Sequence, residues 1–191
     1  GIDGSGSPME IAAKIRVRDA AEFGDSGTDF LERHRAFEYD GQIWVNPQDS
    51  YGKSARVFVH EYGHVMDEQS PLRGRNGTKF RDYRTQGEEP VKLKDLHPER
   101  GYMDSEVTKP DKFKDAYCGK VYTSDTTSEI TSMGMQYMYE DAAGFLARDP
   151  EYFEFTLHQM RGAQWFTPDE WQAAIKRGNA DARYRLEHLY G

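Results

Sequence analysis

Residues 54–69, Ser-Ala-Arg-Val-Phe-Val-His-Glu-Tyr-Gly-His-Val-Met-Asp-Glu-Gln, are the stretch that decides the fold. Ser54 is a good helix cap, and Pro71 follows at a point where a helix usually ends. The apolar residues between these two positions predict a helix with a buried inner face. The other predicted elements are arranged around this helix.

Two histidines, His60 and His64, stand four residues apart in the helix, with Glu61 directly after the first. Residues four apart share one helix face, so both imidazoles can bind a single metal ion. Glu61 projects beside them, near a metal-bound water but outside the ligand set, which suits a general base. The plain alternative is two surface histidines. We favour the metal site, because the apolar residues before His60 predict burial, and unpaired buried histidines are costly.

A closed metal site needs a third protein ligand from elsewhere in the chain. An extended motif with a third histidine is excluded, since Asp67 and Ser70 occupy the positions of its glycine and its histidine. Glu129 is the best candidate. It begins a long buried helix, where free N–H groups and the helix dipole stabilise a carboxylate.

Small residues follow Glu129 and support the ligand interpretation. Ser132 is a candidate hydrogen-bond partner one turn along, and Gly134 is a point where two helices can approach closely. The alternatives are a plain helix-start acid at 129, or a different ligand at Glu140 or Asp141. A further alternative, Asp82 after Gly77-Thr78, has a spacing that does not fit the subclass with an aspartate ligand.

The composition is that of a folded globular chain. Of its 191 residues, 37% are hydrophobic and 30% charged, which suffices for one full core but hardly for a second domain of ordinary size. We therefore predict a single domain over residues 8–191. Residues 1–7, rich in glycine and serine, are typical of a linker or an expression scar.

Charge and cysteine content exclude several partners and sites. The 33 Asp and Glu outnumber the 25 Lys and Arg, and a net charge of −8 provides no general field for a nucleic acid backbone. No stretch approaches the roughly 18 apolar residues of a membrane span, so we expect a soluble chain. Cys118 is the single cysteine, which excludes intrachain disulfides and thiolate metal clusters without deciding the compartment. Any metal must therefore use histidines and carboxylates.

The remaining pattern predicts a small sheet and several helices. Asp40-Gly41, between the runs 36–39 and 42–45, predicts a tight β-hairpin. Residues 71–112 show no sustained period and are predicted to be a long loop, the rim or lid of a cleft. Two short strands are predicted within 116–123. Further helices are predicted at 9–23, where Ile15 and Val17 leave a strand as the alternative, and at 28–34, 126–148, 151–161, 168–177 and 181–190. The predicted class is α+β: a small, mostly antiparallel sheet above two buried helices, with extra C-terminal helices.

The segment His60-Glu61-Tyr62-Gly63-His64, with Asp67 and the distant Glu129, resembles the gluzincins, zinc peptidases whose third ligand is a glutamate on a later helix. More narrowly, the pattern His-Glu-aromatic-Gly-His-x-x-Asp is similar to the family of the anthrax lethal factor catalytic domain. Residues 117–122 and 128–134 are similar to metallopeptidase domains of toxins and phage proteins. The resemblance covers only these short segments. It implies a zincin-like fold in which His60, His64 and Glu129 bind zinc.

The same resemblance implies catalytic roles. In that family a tyrosine shortly before the ligand glutamate stabilises the oxyanion, and Tyr122 has this position here, with Tyr117 as the alternative. The implied function is a zinc-dependent endopeptidase that hydrolyses protein substrates with Glu61 as base. Its role would be that of a toxin, an effector or a phage-associated protease, secreted or delivered into a target cell. The alternative is a zinc-stabilised structural or binding domain with vestigial catalysis, although a structural metal has no need of Glu61.

Overall fold

The predicted β-hairpin is present and forms most of a small sheet. The computed structural model of the protein describes residues 17–19, 22, 36–45 and 55–178. Strands β2 (Ala36–Tyr39) and β3 (Gln42–Val45) are antiparallel, and both residues of the Asp40-Gly41 turn have positive φ, as a tight hairpin turn requires. Strand β1 (Val17–Asp19) pairs with β3 in parallel, so the sheet is mixed, with the order β1-β3-β2.

Helix α1 (Ala55–Glu68) confirms the predicted central helix and contains both histidines. It contacts the hairpin on one side and helix α4 (Ile130–Arg148) on another. Gly63 lies at the crossing with α4, where an added Cβ would be 2.5 Å from the Cα of Ser132. The two helices therefore meet backbone to backbone at this point.

Helix α2 (Pro71–Arg84) stands where the sequence predicts a loop, so that prediction is wrong for residues 71–84. Pro71 occupies the first turn, a position that suits proline. The buried face carries one aromatic side chain among polar residues and glycines, so no apolar period marks the helix. Its buried residues are Arg73, Gly74, Asn76, Gly77, Phe80 and Arg81.

Residues 85–115 contain short elements. Strands β4 (Val91–Lys92) and β5 (Val107–Thr108) form an antiparallel pair. Helix α3 (Leu93–Leu96) and a 3₁₀ turn at Pro98–Arg100 lie between them in sequence. Part of the predicted loop is therefore short regular structure.

The prediction of two strands within 116–123 is wrong. Ala116–Gly119 is a 3₁₀ helix, and the Asp115 side chain caps it by accepting a hydrogen bond from the Tyr117 N–H at 2.9 Å. The cap gives the Tyr117 N–H a local hydrogen-bond partner, whereas in a strand this group would need a neighbouring strand. Lys120 then forms an isolated bridge to Thr108.

The predicted C-terminal helices are present as α4, α5 (Pro150–Met160) and α6 (Pro168–Lys176). Helix α4 is kinked at Asp141, whose backbone is non-helical and whose side chain accepts from the Gly144 N–H at 2.9 Å. Asp141 thus caps a second helical segment. Thr167 caps α6 through a complete capping box.

The core has two parts. The larger is mainly aromatic and lies where α2, α4 and α5 meet, with Phe80, Tyr152 and Phe155 at its centre. The smaller joins the sheet to α1 through Ile43 and Met66. Since α1 is anchored to the sheet and packs on α4, both parts of the core support the helix crossing at Gly63.

The coarse α+β class is confirmed by six α-helices and two small sheets among the described residues. The predicted helices at 28–34 and 181–190, the segment 1–7 and most of 9–23 lie outside these residues. Within 9–23, Val17–Asp19 forms a strand, which is the alternative that the sequence leaves open. No described helix is long and apolar enough to cross a membrane.

Candidate metal centre

His60 and His64 lie one turn apart on α1 and face the start of α4. Their ring centroids are 5.0 Å apart and the rings are inclined by 76°. Both Nε2 atoms approach the same oxygen, Oε2 of Glu129, at 3.4 Å from His60 and 3.2 Å from His64. The structure therefore brings together the three residues that the sequence predicts as ligands.

Two hydroxyl groups orient the Glu129 carboxylate. Glu129 directly precedes α4 and is only 1% exposed. Ser132 Oγ, one turn along the helix, donates to Oε2 at 3.0 Å, and the Tyr122 hydroxyl donates to Oε1. Each carboxylate oxygen thus has its own partner, and Ser132 has the position that the sequence predicts.

The charges in this group favour an ionised carboxylate. Burial alone would raise the pKa of Glu129, but His64 and His60 lower that pKa well below its usual range. Burial lowers the pKa of His64, whereas Glu129 and Glu61 raise it to about 9. A proton and a metal ion would therefore compete for the ring nitrogen of His64 that faces Glu129.

The donor set fits a metal ion. One ligand atom from each of His60, His64 and Glu129 lies within 4.8 Å of the others, and this group could hold an ion. Two imidazole nitrogens and one carboxylate oxygen are a common ligand set of catalytic zinc sites, which keep a fourth position for water. The described residues therefore bring three possible ligands together, two on α1 and one directly before α4.

Gly63, rather than Gly134, allows α1 and α4 to approach each other. An added Cβ at Gly134 would meet the Thr156 side chain on α5, so this glycine serves a different helix contact. The sequence contains a signal for Gly63, because glycine is unfavourable inside a helix and its presence there is compatible with a close approach of another backbone. Close approach at Gly63 places Ser132, and with it Glu129, beside the histidines.

Glu61 lies next to the three ligand candidates without belonging to their group. It is 8% exposed, and burial raises the pKa of its carboxyl, while His64 and His60 lower it. The backbone N–H of Glu38, on β2, donates to the carboxylate. The net effect is a raised pKa, so Glu61 is a stronger base than an exposed glutamate.

Both sequence-predicted tyrosines reach the site. Tyr122 donates to Glu129, and the Tyr117 hydroxyl lies close enough to Glu129 and Tyr122 for both to affect its pKa. Burial raises the pKa of both phenols and the Glu129 charge raises it further, so both remain protonated donors. Lys120 Nζ lies 5.1 Å from the Tyr117 ring centre and 4.9 Å from that of Tyr122.

Two adjoining cavities meet at His60 and Glu61. One, of about 780 Å³, continues past Glu129, and the other, of about 760 Å³, continues along α4. Tyr117 lines both cavities. Six residues of the segment 99–106 line these cavities, which agrees with the predicted rim; they are Glu99, Arg100, Tyr102, Met103, Ser105 and Glu106. The result is a cleft that passes directly over the metal-binding group.

The alternative carboxylates have other partners. Glu140 accepts from Arg56 at 2.9 Å, and Asp82 pairs with the neighbouring Arg81 at 2.9 Å. Asp141 caps the second part of α4. None of the three belongs to the group of metal-binding candidates among the described residues.

A set of buried polar residues near the histidines was not predicted from the sequence. Arg73 and Gln159 are 2% and 0% exposed, and they face each other from α2 and α5. The only available signal was the lack of any apolar period in residues 71–84, which conceals a helix with an inward polar face.

Comparisons of the chain with protein-family models, with curated proteins and with solved structures give no match. The geometry of the site is therefore the basis of the functional assignment.

Proposed function

We propose that this chain is a zinc-dependent endopeptidase of the gluzincin type, with a zincin-like fold. His60, His64 and Glu129 bind zinc, and Glu61 is the general base. The observation that carries the proposal is the convergence of two imidazoles on one buried carboxylate, with a second buried carboxylate beside them. The position of Tyr122 next to Glu129 supports the relation to the lethal factor family.

The chemistry follows from these positions. A bound zinc ion supplies a Lewis acid and lowers the pKa of water toward about 7. Glu61 takes a proton from the attacking water and returns it to the leaving amine. Burial supports this role, because it raises the pKa of Glu61. Tyr122, or Tyr117 in its place, donates a hydrogen bond to the developing oxyanion.

The cleft supports an extended peptide as substrate. Residues 36–38, in strand β2, line the cleft beside Glu61. A peptide that lies in the cleft along β2 would therefore pass close to the base.

The central test uses Glu61→Gln, which keeps the size of the side chain and the three ligands. We expect full zinc content and a fall in peptide cleavage of about 10²–10⁴-fold, the usual contribution of general acid–base catalysis. Elemental analysis measures zinc, and digestion of a broad peptide library at neutral pH measures cleavage. Chelator-treated parent protein is the control. Cleavage at the parental rate by Glu61→Gln would contradict the proposed base.

The ligand set is tested by a matched pair of variants on α4. Glu129→Ala removes a proposed ligand, so we expect bound zinc to be lost. Glu140→Ala removes a carboxylate that pairs with Arg56, and we expect zinc to be retained. Full zinc occupancy in Glu129→Ala would rule out the ligand assignment.

A parent protein that holds zinc but cleaves no peptide would favour a zinc-stabilised structural or binding domain. Labelling of new N-termini after the enzyme is added to host lysate would identify natural targets. The same labelling with Glu61→Gln separates true products from background proteolysis.

A further inference from the structure

Four buried polar residues form a cluster behind the metal-binding histidines. We call Asp67, Arg73, Thr131 and Gln159 the polar cluster; they belong to α1, α2, α4 and α5. Their exposed fractions are 4%, 2%, 0% and 0%. Buried charged groups add little net stability compared with apolar side chains of similar size. Stability alone therefore does not account for this cluster.

Arg73 and Gln159 hold each other. Arg73 Nε donates to the Gln159 carbonyl at 3.2 Å, and Gln159 Nε2 donates to the Arg73 carbonyl at 2.8 Å. Gln159 Nε2 also donates to Thr131 Oγ1 at 3.0 Å. Gly162 leaves room for the guanidinium, since a Cβ there would lie 2.6 Å from Arg73 Nη2. Gln159 of α5 thus fixes the positions of Arg73 and Thr131 without a contribution from Asp67.

Asp67 is the member of the cluster that lacks a well-placed donor. Among the described residues, neither of its carboxylate oxygens receives a hydrogen bond at ordinary geometry. Burial raises the pKa of Asp67 to about 7, although Thr131, His64 and Arg73 are near enough to lower it. A buried carboxylate without a strong donor is costly, so a donor is expected in the functional state of the protein.

His64 can provide this donor. Its Nε2 faces Glu129 at 3.2 Å, and no ion pair joins either ring nitrogen to Asp67 in this structure. The contact between Nδ1 and Asp67 would therefore form in the metal-bound state. When one imidazole nitrogen binds a metal ion, the other carries the proton and donates it to a neighbour. Asp67 stands three residues after His64 on the same helix, and helical side chains lean toward the preceding turn. Both residues line the same cavity as Glu129.

We propose that Asp67 is a positioning residue of the metal centre, whose carboxylate lies beside Arg73 and Thr131 and accepts the Nδ1–H of metal-bound His64. The inference rests on the metal site of the proposed function and goes beyond it by linking that site to α2 and α5. A carboxylate in this position fixes the ring orientation and increases the basicity of the ligand. An Asp67 with a purely structural role would leave metal binding unchanged.

The test compares Asp67→Asn with Asp111→Asn. Both changes keep the size of the side chain and remove a negative charge, which is buried at Asp67 and 13% exposed at Asp111. Asp111 pairs with Arg84 at 2.7 Å and lines neither cavity. Its positive φ is also tolerated by asparagine, which makes it a matched control.

Zinc affinity, measured by competition with a chromophoric chelator, and the absorption spectrum of the cobalt-substituted protein are the readouts. We expect Asp67→Asn to bind zinc about 10–100-fold more weakly and to change the cobalt spectrum, as loss of an outer partner does. Asp111→Asn should match the parent in both measurements, even where its unfolding temperature falls. Equal zinc affinity in the two variants would overturn the proposal.

A second measurement on the parent protein keeps the proposal testable where Asp67→Asn fails to fold. Long-range ¹H–¹⁵N spectra of the zinc-loaded parent should show His64 bound through Nε2, with a low-field, slowly exchanging Nδ1 proton. Binding through Nδ1, or an Nδ1 proton without these properties, would overturn the role of Asp67. A parent that binds no zinc would refute the metal site itself, so the two failures are distinguishable.

Discussion

Among single residues, the two tyrosines near Glu129 have roles that kinetics can separate. The Tyr122 hydroxyl donates to Glu129 in this structure and would have to turn to the developing oxyanion during catalysis. If it does so, we expect Tyr122→Phe to lower kcat by about 10²–10³-fold with little change in KM, as loss of an oxyanion donor does. Tyr117→Phe is the matched variant, for which we expect a smaller effect. Steady-state kinetics on a cleaved peptide and zinc analysis of both variants provide the measurement. The reverse order of effects would assign the oxyanion role to Tyr117.

The role of a residue could be predicted where it depends only on the sequence around that residue. His60 and His64 follow from helix geometry alone, and Glu129 follows from the preference of carboxylates for helix starts. The residues that surround Asp67 could not be predicted in this way. Arg73 and Gln159 meet behind it only because three helices pack together, and no spacing in the sequence encodes that contact.

Among the secondary-structure elements, the crossing of α1 and α4 determines whether the ligands meet. We expect Gly63→Ala to lower both the unfolding temperature and the zinc affinity, because its Cβ would press on the Ser132 backbone and separate the two helices. Gly134→Ala is the matched control: its Cβ would meet a side chain of α5, so stability should fall while zinc affinity is retained. Thermal unfolding and chelator competition check both variants. Parental zinc affinity in Gly63→Ala would contradict this account of the crossing.

The elements that the sequence predicts correctly are those with a strong local signal. The hairpin has the Asp40-Gly41 turn, α1 has an apolar period, and α6 has the Thr167 cap. Helix α2 carries none, because its inner face is polar and its glycines have low helix propensity. Tertiary packing stabilises it instead: Gly74 and Gly77 fit closely against residues 126–128, which lead to Glu129.

A pair of carboxyl groups connects the hairpin to the end of α1. Glu38 Oε1 and Glu68 Oε2 each accept from the Gly41 N–H at 2.9 Å. Burial and the neighbouring Glu68 raise the pKa of Glu38 from 4.5 to about 8. Because the folded-state pKa is the higher one, the contribution to stability is complete below about pH 4.5 and is lost as the pH rises through about 8.

We therefore expect Glu38→Gln to make the stability of the metal-free protein less dependent on pH. The parent should lose unfolding temperature relative to this variant between about pH 5 and pH 9, because only the parent must release the shared proton. Thermal unfolding in the presence of chelator, recorded across this range, provides the measurement. Glu89→Gln, at an exposed glutamate, is the control and should follow the parent. Parallel curves for parent and Glu38→Gln would contradict the shared proton.

For the whole molecule, zinc should act as a link between two helices that are far apart in sequence. An ion that binds only the folded state raises the free energy of unfolding by about 2.7 kcal/mol at a concentration 100 times its Kd. For a chain of this size that corresponds to a rise of roughly 5–11 °C in Tm. Glu61→Gln should show the same rise, since it keeps all three ligands, and Glu129→Ala should show none, since it loses the ligand contributed by the start of α4.

Calorimetry of chelator-treated protein with and without added zinc measures this stabilisation. Magnesium at the same concentration is the control, because this hard ion prefers oxygen ligands and binds imidazole poorly. An equal rise in Tm for the parent and for Glu129→Ala would mean that zinc is held by α1 alone or at another place. The absence of a rise in the parent would contradict the site as a whole. A rise confined to variants with an intact His60, His64 and Glu129 would show that zinc binding and the packing of α1 on α4 are one equilibrium, because the ligands meet only in the folded chain.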